Sequence, residues 1–544
     1  MAGNESTEKE VGPTVTTDRP ESASSKISPP SASPATDVSI VNEKVTSNVN
    51  VDVEKSTLNL DDEAGSIAAK ALASGPLDPH EAKKLLKKID WYILPFMCVT
   101  YGLQFLDKTT LSYSAVFGLE EDTHLVGQQY SWASSIFYFG YLIAEFPGVA
   151  LLQRFPLAKF LGVNIIAWSA ILLIHASCSS FAGLATVRFF LGIFEATISP
   201  GFVAITAIWW TRNEQAARAG YWVAMMGAFG MIGGLLTFGI GHITGSLSPW
   251  RYIYIILGSI TFVWGFVFLW RVPDNPATAK WLTEDEKVMA VQRVIDNKTG
   301  TKTRTFSKAQ MIEAITDPKI IMLMLISFVN AMPSGGLSFG SIIISGFGFT
   351  SLQTTLLNIP LSFLQAVSNL SAGYFSTRIP NSRLHIATLA MIPPIVGAVV
   401  INTLAIDNKW GRLVGVWLLA SYPVGFLAVI NLLSSNVSGS TKRTVASGMS
   451  FVGYCVGQIA GPQCFYSREY PRYYSGIQAM LCAYCFNFVL NQVLRFLYVR
   501  ENKKRDQALG NKTEEELQAL QEESRIQGFE NVTDGKNVMF RYTL

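Results

Sequence analysis

Residues 184–209 read LATVRFFLGIFEATISPGFVAITAIW and contain only two charged side chains. The hydrocarbon core of a bilayer is about 30 Å thick, and a helix crosses it in about 20 apolar residues. This stretch is therefore long and apolar enough to cross a membrane. Eleven further stretches have the same character, at 91–116, 130–152, 160–179, 218–241, 251–271, 319–344, 353–376, 384–405, 412–434, 445–466 and 475–498.

The composition of the whole chain agrees with a membrane protein. Hydrophobic residues make up 49% and charged residues 15% of the 544 positions, whereas about 25% of the residues of an average soluble protein are charged. The net charge of +3 is too small for a nucleic-acid-binding surface. Six cysteines in this length exclude a disulfide-stabilised scaffold.

The twelve predicted spans fall into two groups of six. Residues 81–271 hold the first group and residues 319–499 the second, with a polar loop between them at 272–318. Residues 1–80 are rich in Ser, Thr and Pro and are predicted to be disordered. A polar tail follows at 500–544. We therefore predict an all-α integral membrane protein of two six-helix bundles.

Lysine and arginine residues near the ends of the spans predict the orientation. If the N-terminus is cytoplasmic, sixteen of them face inward and five face outward, leaving the central loop uncounted. Basic residues concentrate on the cytoplasmic side of membrane proteins. We therefore expect both termini and the loop 272–318 to be cytoplasmic, and we expect the plasma membrane as the location.

Two adjacent charges lie within the first span. Asp107 and Lys108 have an apolar stretch on each side, and a charge at that depth is costly unless it serves a cavity or has a partner. Successive helix residues point about 100° apart, so each of the two needs a partner elsewhere or a substrate. The alternative is a helix that ends at Leu106 and leaves both charges at the outer interface.

The fourth span carries Arg188 and Glu195, seven residues or about 10.5 Å apart on one helix face. Counted from residue 184, Glu195 lies about 16 Å deep, near the midplane. One hypothesis is that its carboxyl group carries a proton, and the other is a static ion pair with Lys108 or Arg188. For Arg188 itself, a gate or an interface anchor is the expected role.

The second span adds further polar candidates. Glu145 lies near the inner end and is expected to pair with Arg154 or with a helix-terminal arginine across an inner gate. Tyr138 and Tyr141 precede it at helical spacing. They either line a pore and contact substrate, with Tyr138 as the candidate, or pack in the ordinary way.

The seventh span contains NAMPSGGLSFG, residues 330–340, in which Pro333, Gly335 and Gly336 interrupt the helical hydrogen bonds. Unwound backbone inside a membrane requires partners from the protein or from a wet cavity, and such segments often form binding sites or gates. Asn330 beside them is a candidate for substrate contact.

The eleventh span has glycines at four-residue spacing, Gly453, Gly457 and Gly461. Small residues at this spacing allow two helices to approach closely. Gln458 and Gln463 lie in the same span. They either bind substrate, with Gln458 as the candidate, or form hydrogen bonds between helices.

Motifs for chemistry at a catalytic centre are missing from the sequence. It contains no Walker A loop and no HExxH, and its five histidines have no metal-ligand spacing. We therefore predict neither an enzyme nor a cofactor or metal site. Without a nucleotide site, an ion gradient has to drive any transport.

These residues resemble the major facilitator superfamily, and within it the fungal allantoate permease branch of the anion:cation symporters. The matching segments are IDWYILPFMCVTYGLQFLDK (89–108), RFFLGIFEATISPGF (188–202), KWLTEDEK (280–287), PSGGLSF (333–339), NVSGSTKR (436–443), GQIAGPQCF (457–465), VRENKKRD (499–506) and FRYTL (540–544). The resemblance implies the major facilitator fold, alternating access between two bundles, and import of small organic anions with protons.

The resemblance also implies roles for single residues. Asp107 and Glu195 match carboxylates that handle protons, and Lys108 matches a basic residue that holds the substrate carboxylate. Relatives often have Arg at that position, so Lys108 offers a point charge instead of a planar fork. Gln153 stands where relatives often have an acid, which departs from the usual charge relay of the inner gate.

The leading hypothesis is a monomeric, proton-driven symporter of a small organic anion. Allantoate and other ureido acids, nicotinate-like vitamins and short peptides are the substrate classes that the resemblance implies. Three alternatives stay open: an efflux carrier for a fungal secondary metabolite, a nutrient transceptor that signals through its tails and, last, an integral membrane enzyme.

Overall fold

The computed structural model describes residues 67, 70–71, 77–152, 154–295, 307–510, 513, 516, 520 and 532–544. Most of the predicted disordered segment 1–80, and Gln153, lie outside the described residues. The described part of the chain is built of helices joined by short connections, and it contains no β-strand. This agrees with the all-α prediction.

Nineteen α-helices and four short 3₁₀ helices make up this described part. The α-helices are α1 (Pro79–Ala115), α2 (Leu119–Asp122), α3 (Gln129–Leu152), α4 (Leu157–His175), α5 (Phe181–Glu195), α6 (Ile198–Trp209), α7 (Arg212–Ile240), α8 (Pro249–Arg271), α9 (Glu284–Ile295), α10 (Lys308–Thr316), α11 (Pro318–Gly336), α12 (Gly340–Gly346), α13 (Ser351–Arg378), α14 (Arg383–Leu389), α15 (Ile392–Thr403), α16 (Lys409–Leu418), α17 (Val424–Asn436), α18 (Ser440–Gln463) and α19 (Tyr474–Leu509). The 3₁₀ helices are Pro276–Thr278, Leu337–Phe339, Leu419–Ser421 and Ser467–Glu469.

Eight helical stretches of the described chain are long and apolar enough to cross a membrane. They lie at the predicted spans 130–152, 160–179, 184–209, 218–241, 251–271, 384–405, 412–434 and 475–498. Helices also cover the other four predicted spans, but those carry more polar side chains or are shorter. The count of twelve therefore stays a prediction.

Several predicted spans consist of two shorter helices, and prolines explain where the second one begins. Pro200 is the third residue of α6, Pro393 is the second residue of α15, and Pro423 immediately precedes α17. Proline lacks a backbone N–H, so it fits the first turn of a helix, where that group has no partner inside the helix. A continuous apolar run in the sequence can therefore contain the end of one helix and the start of the next.

Within each half, glycines let two helices pack backbone to backbone. A Cβ atom on Gly192 of α5 would lie 2.0 Å from the Phe137 carbonyl oxygen of α3. A Cβ atom on Gly457 of α18 would lie 2.3 Å from the Phe328 carbonyl oxygen of α11. The glycine spacing of the eleventh span thus serves the close approach that the sequence predicts.

The two halves contact each other along the helix pairs α3–α18 and α7–α13. Hydrogen bonds between the halves cluster at the end of the helices where the segment 116–128 lies. The Ser351 hydroxyl donates to the Val116 carbonyl at 2.6 Å, and the Ser112 and Ser341 hydroxyl oxygens lie 3.1 Å apart. We call this end the joined end, and it is the predicted outer end.

The predicted central loop contains two helices that attach to different halves. Helix α9 contacts the first half, where Arg293 Nη2 lies 2.8 Å from Glu214 Oε1. Helix α10 contacts the second half, where Glu313 Oε1 lies 2.9 Å from Lys442 Nζ. The crossing between the halves therefore falls between α9 and α10.

Close packing at Gly457 generates a stability prediction. We expect Gly457→Ala to lower the stability by about 1–3 kcal/mol, because the added methyl group forces α18 away from α11. Thermal unfolding of the purified protein in detergent measures the effect. The matched control is Gly373→Ala in α13, where a Cβ atom would have no neighbour within 4 Å. Equal midpoints for the two variants would contradict the prediction.

Candidate functional site

An ion pair between α1 and α5 lies at the centre of the first half. Lys108 Nζ is 2.8 Å from Glu195 Oε1. The Glu195 side chain is fully buried, whereas that of Lys108 keeps an exposed fraction of 26%. Helix α1 continues to Ala115, so the alternative of a helix ending at Leu106 is wrong. The lysine side chain therefore contacts a buried carboxylate and is still partly exposed.

Asp107 points the other way, into the interior of the first half. Its Oδ2 atom accepts hydrogen bonds from Trp168 Nε1 of α4 at 2.8 Å and from Thr261 Oγ1 of α8 at 3.3 Å. The residue is fully buried, and Oδ1 has no hydrogen-bond partner. The 100° step between neighbours thus gives Asp107 and Lys108 different surroundings, as the sequence predicts.

Two aromatic rings of α3 lie beside the lysine, and one of them contacts a ring of the second half. Its Nζ lies 5.3 Å from the ring centre of Tyr141 and 5.8 Å from that of Phe137, both on α3. The Tyr141 ring stacks on Phe451 of α18, with 5.5 Å between ring centres. A cation over a ring face is stabilised by the ring quadrupole. The rings therefore hold the ammonium group where the two halves meet.

The predicted contact residue Tyr138 belongs to the same group of rings. It makes an edge contact with Tyr454 of α18 at 6.3 Å and is partly exposed. Its neighbour Tyr141 is buried. Of the two tyrosines, the structure leaves Tyr138 the more accessible one.

Arg188 connects two helices of the first half. Its Nε donates to the Ala133 carbonyl of α3 at 3.3 Å, and its guanidinium lies 5.8 Å from the Phe137 ring centre. The side chain is buried, and the ion-pair partner of Glu195 is Lys108. These contacts join α5 to α3, and the expected role of Arg188 as a gate or an interface anchor stays a prediction.

Glu145 and Arg154 do not form the predicted pair. Among the described residues Glu145 has no ion-pair partner, its Oε2 is buried without a hydrogen bond, and Arg154 is exposed. The two residues are nine positions apart, which is 2.5 helical turns, so they would face opposite sides of one helix. Helix α3 also ends at Leu152, before the arginine is reached.

The predicted interruption of the seventh span is present and lies directly after its glycines. Helix α11 contains Pro333 and ends with Gly335 and Gly336, and a 3₁₀ turn at Leu337–Phe339 follows. The Tyr130 hydroxyl of α3 donates to the Ser338 carbonyl of this turn at 3.0 Å. The opposite half thus supplies a partner for the unwound backbone.

The amide candidates of the second half are engaged in hydrogen bonds within the protein. Asn487 Nδ2 donates to Asn330 Oδ1 at 2.9 Å. Gln458 Nε2 donates to Ser334 Oγ at 2.9 Å. Both candidates are buried. These bonds use Asn330 Oδ1 and Gln458 Nε2, one polar atom of each amide.

Other polar contacts fix the joined end next to the site. Gln463 Nε2 of α18 donates to Ser135 Oγ of α3 at 2.9 Å, and this hydroxyl donates to the Ile459 carbonyl at 2.8 Å. The Ser134 and Ser338 hydroxyl oxygens lie 3.0 Å apart. In this structure Gln463 therefore forms a hydrogen bond between helices, which is the second of the two alternatives given for it.

Sequence reasoning missed the two donors to Asp107. Trp168 and Thr261 lie in uninterrupted apolar runs, 61 and 154 residues away along the chain. Neither one stands out from its neighbours, because Trp and Thr are common in membrane helices. The sequence did indicate that a buried carboxylate needs hydrogen-bond donors. That requirement does not identify the helices that supply them.

The central ion pair generates a second stability prediction. We expect Lys108→Met to lower the stability by about 3–5 kcal/mol, since it leaves Glu195 buried and unpaired. Adding Glu195→Gln should restore most of the loss, because the amide removes the unpaired charge. Unfolding of both single variants and the double variant in detergent gives the coupling free energy. Additive effects of the two changes would contradict an energetic pair.

Comparisons with known proteins agree with this arrangement. Residues 97–462 match the family description Major Facilitator Superfamily. An uncharacterised transporter of Schizosaccharomyces pombe is 40% identical over 85% of this chain and 86% of its own length. In Saccharomyces cerevisiae, the thiamine pathway transporter THI73 is 34% identical over 90% of this chain and 91% of its own length. The allantoate permease of the same yeast is 33% identical, with 89% and 90% covered.

Solved structures show the same fold at low sequence identity. The xylose transporter XylE from E. coli, in a partially occluded inward-open conformation, aligns with a TM-score of 0.57 and 12% identity over 73% of this chain and 97% of its own. A bacterial homologue of the lysosomal transporter Spinster aligns with a TM-score of 0.54 and 16% identity over 75% and 96%. The chain therefore belongs to the major facilitator superfamily, whose members are membrane transporters and not enzymes.

Proposed function

We propose that this transporter carries a small organic anion together with a proton. The observation that carries the proposal is the Lys108–Glu195 pair, in which the glutamate side chain is fully buried and the lysine side chain is partly exposed. Such a pair offers one proton-binding group and one anion-binding group in direct contact. Occupation of either group changes the charge that the other one faces.

The charge balance of the pair accounts for the coupling. Empty and deprotonated, Lys108 and Glu195 neutralise each other. A proton on Glu195 leaves the lysine with an uncompensated positive charge, which is costly inside a membrane. A substrate carboxylate then restores neutrality by binding Lys108. Proton and anion are therefore favoured together, and each one alone is disfavoured.

Asp107 is the second proton-handling group of the proposal. Trp168 and Thr261 occupy its Oδ2 atom, so Oδ1 is the atom at which a proton would reside. The residue is fully buried next to the lysine in sequence, on the side of α1 that faces the bundle interior. Its protonation would alter the electrostatic field at Lys108 without direct contact with substrate.

The remainder of the substrate would contact the aromatic and amide side chains around the lysine. Tyr138 is the accessible ring beside it, and Asn330 and Gln458 are the amides that would exchange their present partners for substrate. Flat, nitrogen-containing carboxylates suit such surroundings, since they can stack on rings and accept or donate hydrogen bonds. Allantoate and other ureido acids, nicotinate-like compounds and short peptides are the classes to test.

Alternating access would then use the contacts between the halves. The joined end closes the predicted outer side in this structure, and rocking of the bundles would break contacts such as Ser351 to Val116 and Gln463 to Ser135. We place the working transporter in the plasma membrane as a monomer, with both termini in the cytoplasm. The proton gradient is the driving force, and no cofactor takes part.

Uptake of radiolabelled allantoate and nicotinate by cells that express the protein tests the proposal. We expect faster uptake at acidic than at slightly alkaline external pH, and loss of accumulation with a protonophore, because inward proton movement drives the anion. Cells without the protein are the control. A surface-localised protein that instead lowers cellular content of the label in a proton-dependent way would contradict import and indicate an efflux carrier.

Replacement of the proposed proton acceptor separates coupling from binding. We expect Glu195→Gln to abolish uphill uptake while counterflow exchange of labelled substrate continues, since the amide imitates the protonated carboxyl group. The matched control is Glu284→Gln on α9, which removes an exposed carboxylate paired with Lys287. Equal loss of uptake and exchange in Glu195→Gln would show that the residue binds substrate or maintains the fold.

A further inference from the structure

The last thirteen described residues, 532–544, follow a polar tail, yet three of them, Thr533, Asp534 and Tyr542, are buried. We call residues 532–544 the C-terminal strap. Asp534 and Tyr542 keep exposed fractions of only 1% and 2%. An aspartate is almost never fully buried unless it is paired. A tail that bound nothing would leave its aspartate exposed to water. Something in the second half of the transporter therefore binds this segment.

A buried lysine at the start of α18 is the first binding partner. Lys442 is fully buried, and its Nζ lies 2.9 Å from Asp534 Oδ1, 2.9 Å from Glu313 Oε1 and 3.0 Å from Asp317 Oδ2. The three carboxylates come from the strap, from α10 and from the residue before α11. Removal of one partner from a buried group of this kind is costly, because the remaining charges lose their balance.

Tyr542 is the second anchor of the strap. Its ring stacks on Tyr498 of α19 at 5.0 Å, with Lys319 Nζ at 4.9 Å from the ring centre. Its hydroxyl donates to Asp534 Oδ2 at 2.7 Å. Burial, and then the adjacent Asp534 carboxylate, raise the pKa of this hydroxyl, so it stays protonated and acts as the donor.

Side chains of the helices also bind the backbone of the strap. Asn502 pairs with both backbone polar groups of Tyr542, at 2.9 and 3.0 Å. Asn436 does the same for Thr543, at 2.8 and 2.9 Å. Arg505 Nη1 donates to the Phe540 carbonyl at 2.7 Å and Nη2 to the Asp534 carbonyl at 2.9 Å. These contacts fix the strap in one conformation and one register.

The helices that bind the strap are those that form one end of the second half. They are the starts of α11, α14 and α18, the end of α17 and the last turns of α19. Helix α18 is also the helix that packs along α3 across the two halves, and it carries Tyr454 and Gln458 next to the candidate site. A segment that fixes the start of α18 therefore acts on the moving parts of the transporter.

We propose that the C-terminal strap occupies a peptide-binding groove of the second half and fixes the start of α18, so that these helices move as one body. Asp534 and Tyr542 are positioning residues that act through Lys442 and Tyr498. Among the described residues, the strap forms no hydrogen bond or ion pair with a site residue. The groove consists of the second-half residues that bind the strap. The proposal goes beyond the transport function above and does not depend on the identity of the substrate.

Binding of the strap in trans tests the groove directly. A chain that ends at residue 531 should unfold at a lower temperature than the full chain in detergent, and a synthetic peptide of residues 532–544 should restore the midpoint in a saturable manner. The same peptide with Asp534→Asn should bind at least about tenfold more weakly, which corresponds to about 1.4 kcal/mol. A peptide with Val538→Ser, an exposed position, is the matched control.

Two results would overturn the proposal. One is an unchanged unfolding midpoint for the shortened chain, and the other is equal binding of the Asp534→Asn and unaltered peptides. If the shortened chain does not fold, full-length Asp534→Asn against full-length Val538→Ser replaces it in the same unfolding measurement, and equal midpoints would again overturn the proposal.

Transport kinetics add a readout that distinguishes positioning from simple stability. Full-length Asp534→Asn should lower the maximal uptake rate severalfold with an unchanged KM, because the conformational change is impaired while the distant binding site stays intact. A raised KM with an unchanged rate would contradict the positioning role. Absence of uptake by the unaltered protein would count against the proposed substrates alone, since peptide binding and unfolding are measured without them.

Discussion

A charged side chain inside a membrane is tolerated only when another group compensates it, and the Lys108–Glu195 contact meets this constraint at the centre of the first half. The contact requires α1 and α5 to lie side by side with a fixed axial offset, because 2.8 Å leaves little freedom of position. Helix α5 in turn packs closely on α3 at Gly192. Helix α3 carries Phe137 and Tyr141, the two rings beside the Lys108 ammonium group.

The same constraint divides α1 into two functional faces. Lys108 faces the region where aromatic rings of α3 and α18 meet, whereas Asp107 faces Trp168 and Thr261 within its own bundle. One charged side chain is therefore partly exposed and the adjacent one is enclosed by protein. A helix can combine both because successive side chains diverge by about 100°.

In the second half, an unwound backbone group and a buried lysine also need partners, and the C-terminal strap supplies one for the lysine. Its interrupted helix α11 leaves the Ser338 carbonyl unwound, and Tyr130 from the other half donates to it. At the opposite end, the strap brings Asp534 to the buried Lys442. Hydrogen bonds therefore link the two halves at the joined end, whereas the strap links helices of the second half to one another at the other end.

The sequence by itself determined the all-α membrane class, the interruption after Pro333 and the need of Asp107 and Lys108 for separate partners. Those features depend on local composition and helical periodicity, which a single chain segment contains. Only the tertiary structure decided that Glu195 pairs with Lys108, that Glu145 has no ion-pair partner among the described residues, and that the polar end of the chain is buried. Each of these outcomes depends on which helices become neighbours, and segments far apart in sequence settle that together through packing.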